Sequence, residues 1–563
     1  VTASSHNLCP KKNIKTIRRS VQPATRRTDA TCVPHTSASP RLSLPSFSQY
    51  SPPRDASSAA SPGSLTEPNR AKGMLGRLNR GDAHLMHKRH GNSFDLEEYG
   101  DVLPNGESTK QSWRLSLPHV VVATFSSFLF GYHLGVVNEP LEVISSDLGF
   151  SGDTLAEGMV VSTCLGGAFI GSLISGWIAD TVGRRRAFQL CALPMIIGAC
   201  VSAMSNSLVE MLLGRFLTGA GMGLGPPVAA LYVAEISPAS VRGTYGSFIQ
   251  IATCLGLMGA LLAGLPVREI QGWWRVCFWA STIPAGSLAL AMAVCAESPQ
   301  WLYKQGRSEE AEREFERLLG SCQVKSAMQE LRKVEKGEEC EAVKLGELLC
   351  GRYFQVVFIG SSLFAFQQLS GINAVFYFSS TVFRNAGVPS NLANVFVGIA
   401  NFTGSVVATT LMDKLGRRVL LLWSFIGMAV SMAIQAAAAS AHLTGDPSQL
   451  ISVGGMLLFV MTFAVGAGPV PGLLLPEIFP GRIRAKAMAV CMSVHWVINF
   501  FVGLLFLRLL QKLGAQILYA IFASFCLMAV VFVKRNVIET KGKSLQEIEI
   551  ALLPPEDRYS ATS

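Results

Sequence analysis

The chain has 563 residues, 49% of them hydrophobic and only 15% charged, with a mean hydropathy of +0.36. Soluble proteins carry about 25% charged residues, so this composition excludes a water-soluble enzyme or binding module and points to a polytopic membrane protein. The net charge of +10 is no argument for a nucleic-acid partner, because residues 1–90 hold fifteen Lys/Arg against four acids and the remainder is nearly neutral.

Residues 1 to 110 are rich in Ser, Thr, Pro, Ala and Arg and show no apolar period. Such a segment cannot bury enough surface to fold. Its Arg- and Ser-rich, acid-poor character is that of an organelle transit peptide, with a disordered cytosolic tail as the alternative.

Twelve apolar runs follow, at about 117–138, 155–178, 187–205, 208–234, 244–265, 274–295, 353–383, 391–412, 419–440, 450–476, 486–508 and 515–534. Each is long enough to cross a hydrocarbon core of about 30 Å. The sequence therefore predicts an all-α membrane protein with two six-helix bundles, 115–297 and 353–538. A helical linker over 298–352 joins them, and a tail over 539–563 ends the chain. The linker is charged in helical spacing (GRSEEAEREFERLLG) and belongs at the membrane surface. Arg184, Arg185, Arg186, Arg242, Arg417, Arg418, Arg484 and Lys486 all fall in loops after even-numbered runs, as the positive-inside rule requires when both chain ends share one face. Arg268 and Lys512 are exceptions on the opposite side.

An internal repeat supports the division. Glu235-Ile-Ser-Pro238-Ala-Ser-Val-Arg242 and Glu477-Ile-Phe-Pro480-Gly-Arg-Ile-Arg484 both read E-x-x-P-x-x-x-R, and Glu297 recurs as Glu539 at the same offset of 242 residues. Asp180-Thr-Val-Gly183-Arg184-Arg185 recurs as Asp413-Lys-Leu-Gly416-Arg417-Arg418. Pseudo-symmetric halves with a site between them are a transporter architecture. The glycines permit tight turns, and the Arg pairs suit bidentate bonding to the corner carboxylates. We expect these corners to form salt bridges between the halves that close one face.

Within the seventh run, Gln367–Phe378 reads QQLSGINAVFYF. Adjacent amides at membrane depth are costly and persist where they face a cavity or a partner. Ser370-Gly371 loosens the helix there, and irregular backbone at that depth is tolerated only against protein or water. The reading is a polar, uncharged ligand with many hydroxyls; inter-helix amide bonding is the blander alternative.

No Walker loop, HExxH or GxSxG motif supports an enzyme. GAGMGLG (Gly219–Gly225) superficially resembles a phosphate loop but lies inside a span, where small residues allow close helix packing. The thirteen Cys show no CxxC spacing and read as small buried hydrophobes.

Together the corners, GRFLTGAGMG (Gly214–Gly223), QQLSGINAVFYF, GAGPVP (Gly466–Pro471), LPEIFPGRIRAKA (Leu475–Ala487) and ETKG (Glu539–Gly542) resemble the sugar porter family of the major facilitator superfamily over about 115–550. FGYHLGVVN (Phe130–Asn138) and HWVINF (His495–Phe500) are similar to its plant plastidic glucose transporter branch. The resemblance implies a sugar site at Gln250, Gln367, Gln368, Asn373, Asn401, Trp496 and Asn499. Amides both donate and accept, and Trp offers an apolar face to a sugar ring. It implies gating roles for Asp180, Arg184, Arg185, Glu235, Arg242, Glu297, Asp413, Arg417, Arg418, Glu477, Arg484 and Glu539. Two positions depart from the animal glucose facilitators: Ala464 and Gly472 stand where those carry Glu and Trp, which leaves a more permissive pocket.

Proton-coupled sugar porters carry Asp at the position of His133, facing an Arg that is Arg215 here. An imidazole cannot form that carboxylate–guanidinium pair, so facilitated diffusion is expected. The counter-reading makes His133 itself the proton carrier, since an unperturbed imidazole titrates near neutrality. The resemblance thus implies hexose transport, glucose foremost, at the plastid inner envelope, by a monomer among membrane lipids with no cofactor or metal. The alternatives are a proton-coupled monosaccharide or polyol symporter at another membrane and a non-transporting sugar sensor.

Overall fold

The computed structural model describes residues 108–548, apart from 239–240, 339–344, 441–445, 481–482 and 544–546. The proposed transit peptide and most of the C-terminal tail lie outside the described residues. Within them the regular structure is helical throughout.

The first repeat comprises α1 (Ser108–Gly135), the short α2 (Leu141–Asp147), α3 (Thr154–Val182), α4 (Arg184–Met204), α5 (Leu208–Ile236), α6 (Arg242–Ala263) and α7 (Trp273–Met292). The linker forms α8 (Pro299–Lys304), α9 (Ser308–Leu319), α10 (Val324–Glu338) and α11 (Leu345–Leu349). The second repeat comprises α12 (Phe354–Leu369), α13 (Ile372–Asn385), α14 (Ser390–Leu415), α15 (Arg417–Ser440), α16 (Asp446–Thr462), a π-helical turn (Phe463–Ala467), α17 (Pro469–Ile478) and α18 (Arg484–Asn536). Nine helical stretches among the described residues are long and apolar enough to cross a membrane.

Local chemistry sets several boundaries. Asp153 caps α3, its Oδ1 accepting from the N–H groups of Leu155 and Ala156 at 2.9 and 3.2 Å. Ser298 caps α8 in the same way through Trp301 N at 3.2 Å. The seventh apolar run, expected to be continuous, breaks into α12 and α13. Gly371 adopts φ +87°, a left-handed conformation that L side chains resist. α18 spans two expected runs and is interrupted only at Gly514, with φ 80° and ψ 162°. Helix α1 begins at Ser108, inside the end of the segment expected to be unstructured.

Within the first repeat, α3 and α4 pack on α5 and α1 on α6; within the second, α12 and α15 pack on α18. Two seams join the repeats, α3 against α18 and α6 against α14. Glycine makes the tightest crossing. A Cβ on Gly219 or Gly223 would overlap the main-chain carbonyls of Cys164 and Ala168 on α3, and one on Gly167 or Gly171 would overlap those of Phe216 and Ala220 on α5. The backbones of α3 and α5 therefore meet directly, as small residues permit between membrane helices. Elsewhere Ile283, Leu290, Trp423 and Leu450 project large apolar side chains from the periphery, which suits lipid rather than water.

Because backbone cannot yield as a side-chain tip can, Gly223→Leu will overpack this crossing, at a cost of about 1–3 kcal/mol or more. Gly286→Ala on α7, where the added Cβ meets nothing within 4 Å, will leave stability unchanged or slightly raised. Thermal unfolding of the purified proteins in detergent distinguishes the two outcomes.

Candidate functional site

The break at Gly371 places three amides in one connected chain. Asn373 Nδ2 donates to Gln368 Oε1. Gln368 Nε2 donates to Gln367 Oε1 at 3.1 Å and lies 3.0 Å from His495 Nδ1. Gln367 Nε2 ends the chain on the carbonyls of Ala467 and Gly468, at 2.7 and 3.1 Å. All three amides are buried from solvent and His495 is half-buried.

The acceptors for Gln367 have a covalent origin. In a regular helix the N–H of residue 471 would bond to the carbonyl of residue 467, but Pro471 has none. The preceding π-turn, in which Gly468 N bonds to Phe463 O at 2.9 Å, shifts the ladder further. Gln367 fills the acceptor that Pro471 leaves free. Gln367 was expected to face the ligand; here its two donors are spent on the helix-breaking segment of the second repeat.

The other expected site residues form two further groups. Gln250 on α6 and Asn401 on α14 flank Cys254, to which Gln250 Nε2 lies at 3.7 Å, and Cys254 Sγ meets Ser405 Oγ at 3.1 Å across the seam. Asn499 Oδ1 accepts from Tyr377 at 3.3 Å. Trp496 packs edge-on against His495 and Phe130, with ring centroids 5.0 and 6.0 Å apart, and its indole N–H has no partner among the described residues. His495 opens the HWVINF stretch and was not expected among the site residues; its bond to Gln368 makes it part of the group. His495 on α18 meets Gln368 on α12 only through the packing of two helices of the same repeat, which leaves no sequence signal for that contact.

His133 and Arg215 are neighbours, but not through the imidazole. Arg215 donates from Nη2 to the His133 carbonyl at 3.3 Å and from Nε to the Val160 carbonyl at 3.2 Å. Both ring nitrogens of His133 lack a partner among the described residues.

The corners build matching clamps, and here the expectation is corrected. Arg184 grips Glu235 bidentately, Nε to Oε2 at 2.8 Å and Nη2 to Oε1 at 2.7 Å, and reaches the exposed Asp180 at 3.2 Å. Glu297 accepts from the backbone N–H groups of Arg184 and Arg185. In the second repeat Arg417 pairs with Glu477 at 3.1 Å, and Glu539 accepts from the N–H groups of Arg417 and Arg418 at 2.9 and 3.0 Å. These pairs lie within one repeat each, not between repeats. The reason is proximity: each G-R-R corner starts the helix that packs beside its own repeat's glutamates. Arg185 and Arg418 donate to helix-end carbonyls, those of Met292 and Lys534 among them. Arg242 and Arg484 donate to the carbonyls of Ser237 and Phe479. The side chain of Asp413 lies outside the described residues.

Further polar ties between the repeats lie at the opposite face, at the end of the FGYHLGVVN stretch and just beyond it. Asn138, just beyond α1, donates to Phe376 O at 2.8 Å and Ser379 Oγ at 2.7 Å and accepts from Ser380 N at 3.0 Å. Glu139 and Glu142 also reach across, to Ser390 and Arg384 respectively.

The chain is matched over residues 119–552 by the family model described as "Sugar (and other) transporter". It belongs to the sugar porter family. Among relatives, it is 72% identical over 467 residues to the probable plastidic glucose transporter 2 of Arabidopsis thaliana, covering 82% of this chain and 95% of that one. It is 46% identical over 437 residues to plastidic glucose transporter 4 of the same plant, covering 77% and 80%. Among solved structures, the proton:xylose symporter XylE bound to 6-bromo-6-deoxy-D-glucose superposes with a TM-score of 0.67 at 28% identity, covering 78% of this chain and 99% of that one. An inward open structure of the xylose transporter XylE from E. coli superposes with the same score and identity. In this sugar porter the repeated clamps differ in charge balance. Burial pushes the Glu297 carboxyl up, more than its backbone donors and Arg185 pull it down. Burial acts on Glu539 too, but the N–H groups of Lys541, Arg417, Arg418 and Thr540 outweigh it and hold that carboxyl below its usual value.

A carboxyl held below its unfolded value of 4.5 stabilises the fold above that pH and loses its contribution as pH falls through the lowered value. Glu539→Gln will therefore lower the unfolding temperature at about pH 7, and the gap to the parent protein will narrow towards about pH 4. Thermal unfolding of both proteins across that range measures it.

Proposed function

We propose that this sugar porter carries hexoses, glucose foremost, by facilitated diffusion across the plastid inner envelope, using alternating access. The observation that carries the site assignment is the amide chain Asn373–Gln368–Gln367, anchored in the broken segment of α16–α17 and backed by His495. Sugar hydroxyls exchange donors and acceptors with amides in either sense, so a hexose takes over bonds that Gln368 and Asn373 make to each other. Trp496, buried and with an indole N–H that has no partner among the described residues, and the Gln250–Asn401 group complete the proposed pocket. Gln367 holds the site to the moving backbone of the second repeat.

Twelve spans in two six-helix bundles support the mechanism. The nine long apolar stretches become twelve when α18 is read as two spans parted at Gly514, α12–α13 as one broken span, and α7 as a further span. The plastidic relatives support the location, together with the Arg- and Ser-rich first 110 residues. Facilitation rather than proton coupling rests on His133, whose ring does not engage Arg215.

In liposomes, uptake of labelled glucose by the wild type will reach but not exceed equilibrium, with or without an imposed pH gradient. Accumulation driven by the gradient and lost in His133→Ala would establish the proton-coupled reading. Absence of uptake of any sugar in a hexose, pentose and polyol panel would point to a sensor. Gln368→Ala will raise the KM for glucose about tenfold, the size of one lost hydrogen bond of about 1.4 kcal/mol. Unchanged KM with a lower unfolding temperature would return the amides to a purely helix-joining role.

A further inference from the structure

We propose that Glu139 is the positioning residue that holds the substrate path closed at the face opposite the basic corners, and that Arg268 sets how firmly it holds. Glu139 lies between α1 and α2 and is 7% exposed. Its Oε2 accepts from Asn394 Nδ2 at 2.7 Å and from Ser380 Oγ, and its Oε1 accepts from Ser390 Oγ at 3.0 Å. Those three donors belong to α13 and α14 of the second repeat. Arg268, from the first repeat, completes the set, its Nη2 3.0 Å from Oε1. Asn394 is also bonded to both Ser379 and Ser380, so the donor side forms a preorganised cradle.

The asymmetry of these partners makes the group a latch. When the repeats part at this face, Glu139 gives up three neutral donors and gains water. It keeps Arg268, which travels with it. In the closed state the carboxylate is removed from water, and there a cation matters most, because a buried charge without a partner is heavily penalised. Arg268 therefore stabilises the closed state more than the open one, although its ion pair is with Glu139 of its own repeat. The nearby Arg384–Glu142 pair also crosses the repeats, but its side chains are 32% and 66% exposed, and such pairs contribute little. Arg268 is thus accounted for as a charge on the otherwise base-poor face.

This inference rests on the alternating-access reading, but its test needs no sugar, so the two can fail separately. Ile270 and Leu392 are exposed at this face on opposite repeats, 56% and 63% accessible. Nitroxides attached through p-acetylphenylalanine at these positions leave the native cysteines untouched. Pulsed electron–electron distance measurements on the full chain in liposomes then report the closed and open populations. Arg268→Gln will raise the open-to-closed ratio at least about fivefold, the lower range of a coupling between conformational states, and Arg268→Lys will stay near wild type. Glu139→Ala will also open the face, and Arg268→Gln will add nothing in that background. Unchanged distributions in Arg268→Gln would overturn the proposal. So would an Arg268→Gln effect of equal size with and without Glu139. If Glu139→Ala does not fold, the Gln and Lys variants of Arg268 decide, since a general loss of stability would not separate two substitutions by charge alone.

Discussion

A membrane helix that gives up a backbone hydrogen bond must recover it inside the protein, since lipid offers none. That obligation organises the site. Pro471 removes an N–H, the Ala467 carbonyl is left over, and Gln367 from α12 supplies the missing donor. On its own side, α12 ends one turn later at Gly371, where Ser370 Oγ donates back to the Gln367 carbonyl at 2.7 Å. Two interrupted helices are thereby tied through one amide. The three buried amides sit where both helices are interrupted and are held in place by the repair of that interruption.

The repeats use one grammar at the basic face and differ in detail. Arginine after a corner glycine grips the glutamate of the E-x-x-P element, and a second glutamate receives the N-terminal amides of the following helix, in both copies. Glu297 sits deeper than Glu539 and loses the contest between burial and donors that Glu539 wins. Thr540 adds a hydroxyl to Glu477 at 2.7 Å, a contact made in the second repeat from its own ETKG element. These clamps tie together helices of one repeat only. The polar contacts that cross between the repeats cluster at the other end, around Asn138 and Glu139.

Much of this was legible in the sequence for a physical reason. Apolar runs and charge bias report on lipid and on sidedness residue by residue, so the helices and their polarity could be read directly. The corner residues were visible because they recur. Their partners were not, since either repeat offers Arg184 a glutamate of the same chemistry, and only packing selects Glu235. The opposite-face ties were silent. Asn138 and Glu139 look like an ordinary span end, and Ser379, Ser380 and Asn394 are small polar residues without pattern. Their meeting depends on the register between α1 and α13, which no one-dimensional period encodes. His495 escaped for the same reason, while Gln367 stood out by its polarity and its bonds to the Ala467 and Gly468 carbonyls did not.

Gly514 turns the last two spans within a single residue. No atom lies within 4 Å of where its Cβ would be, yet its backbone angles are those that L side chains resist. The constraint is therefore invisible to any comparison of contacts. A variant at this position would look harmless on a map of neighbours and would still strain the turn. The same economy removes slack. With no loop to absorb an added residue, an insertion would rotate one span by about 100° against the other, the angular step of an α-helix. The last two spans are thus a cassette of fixed phase, and a reporter or tag placed between them would be read by the protein as a change of fold.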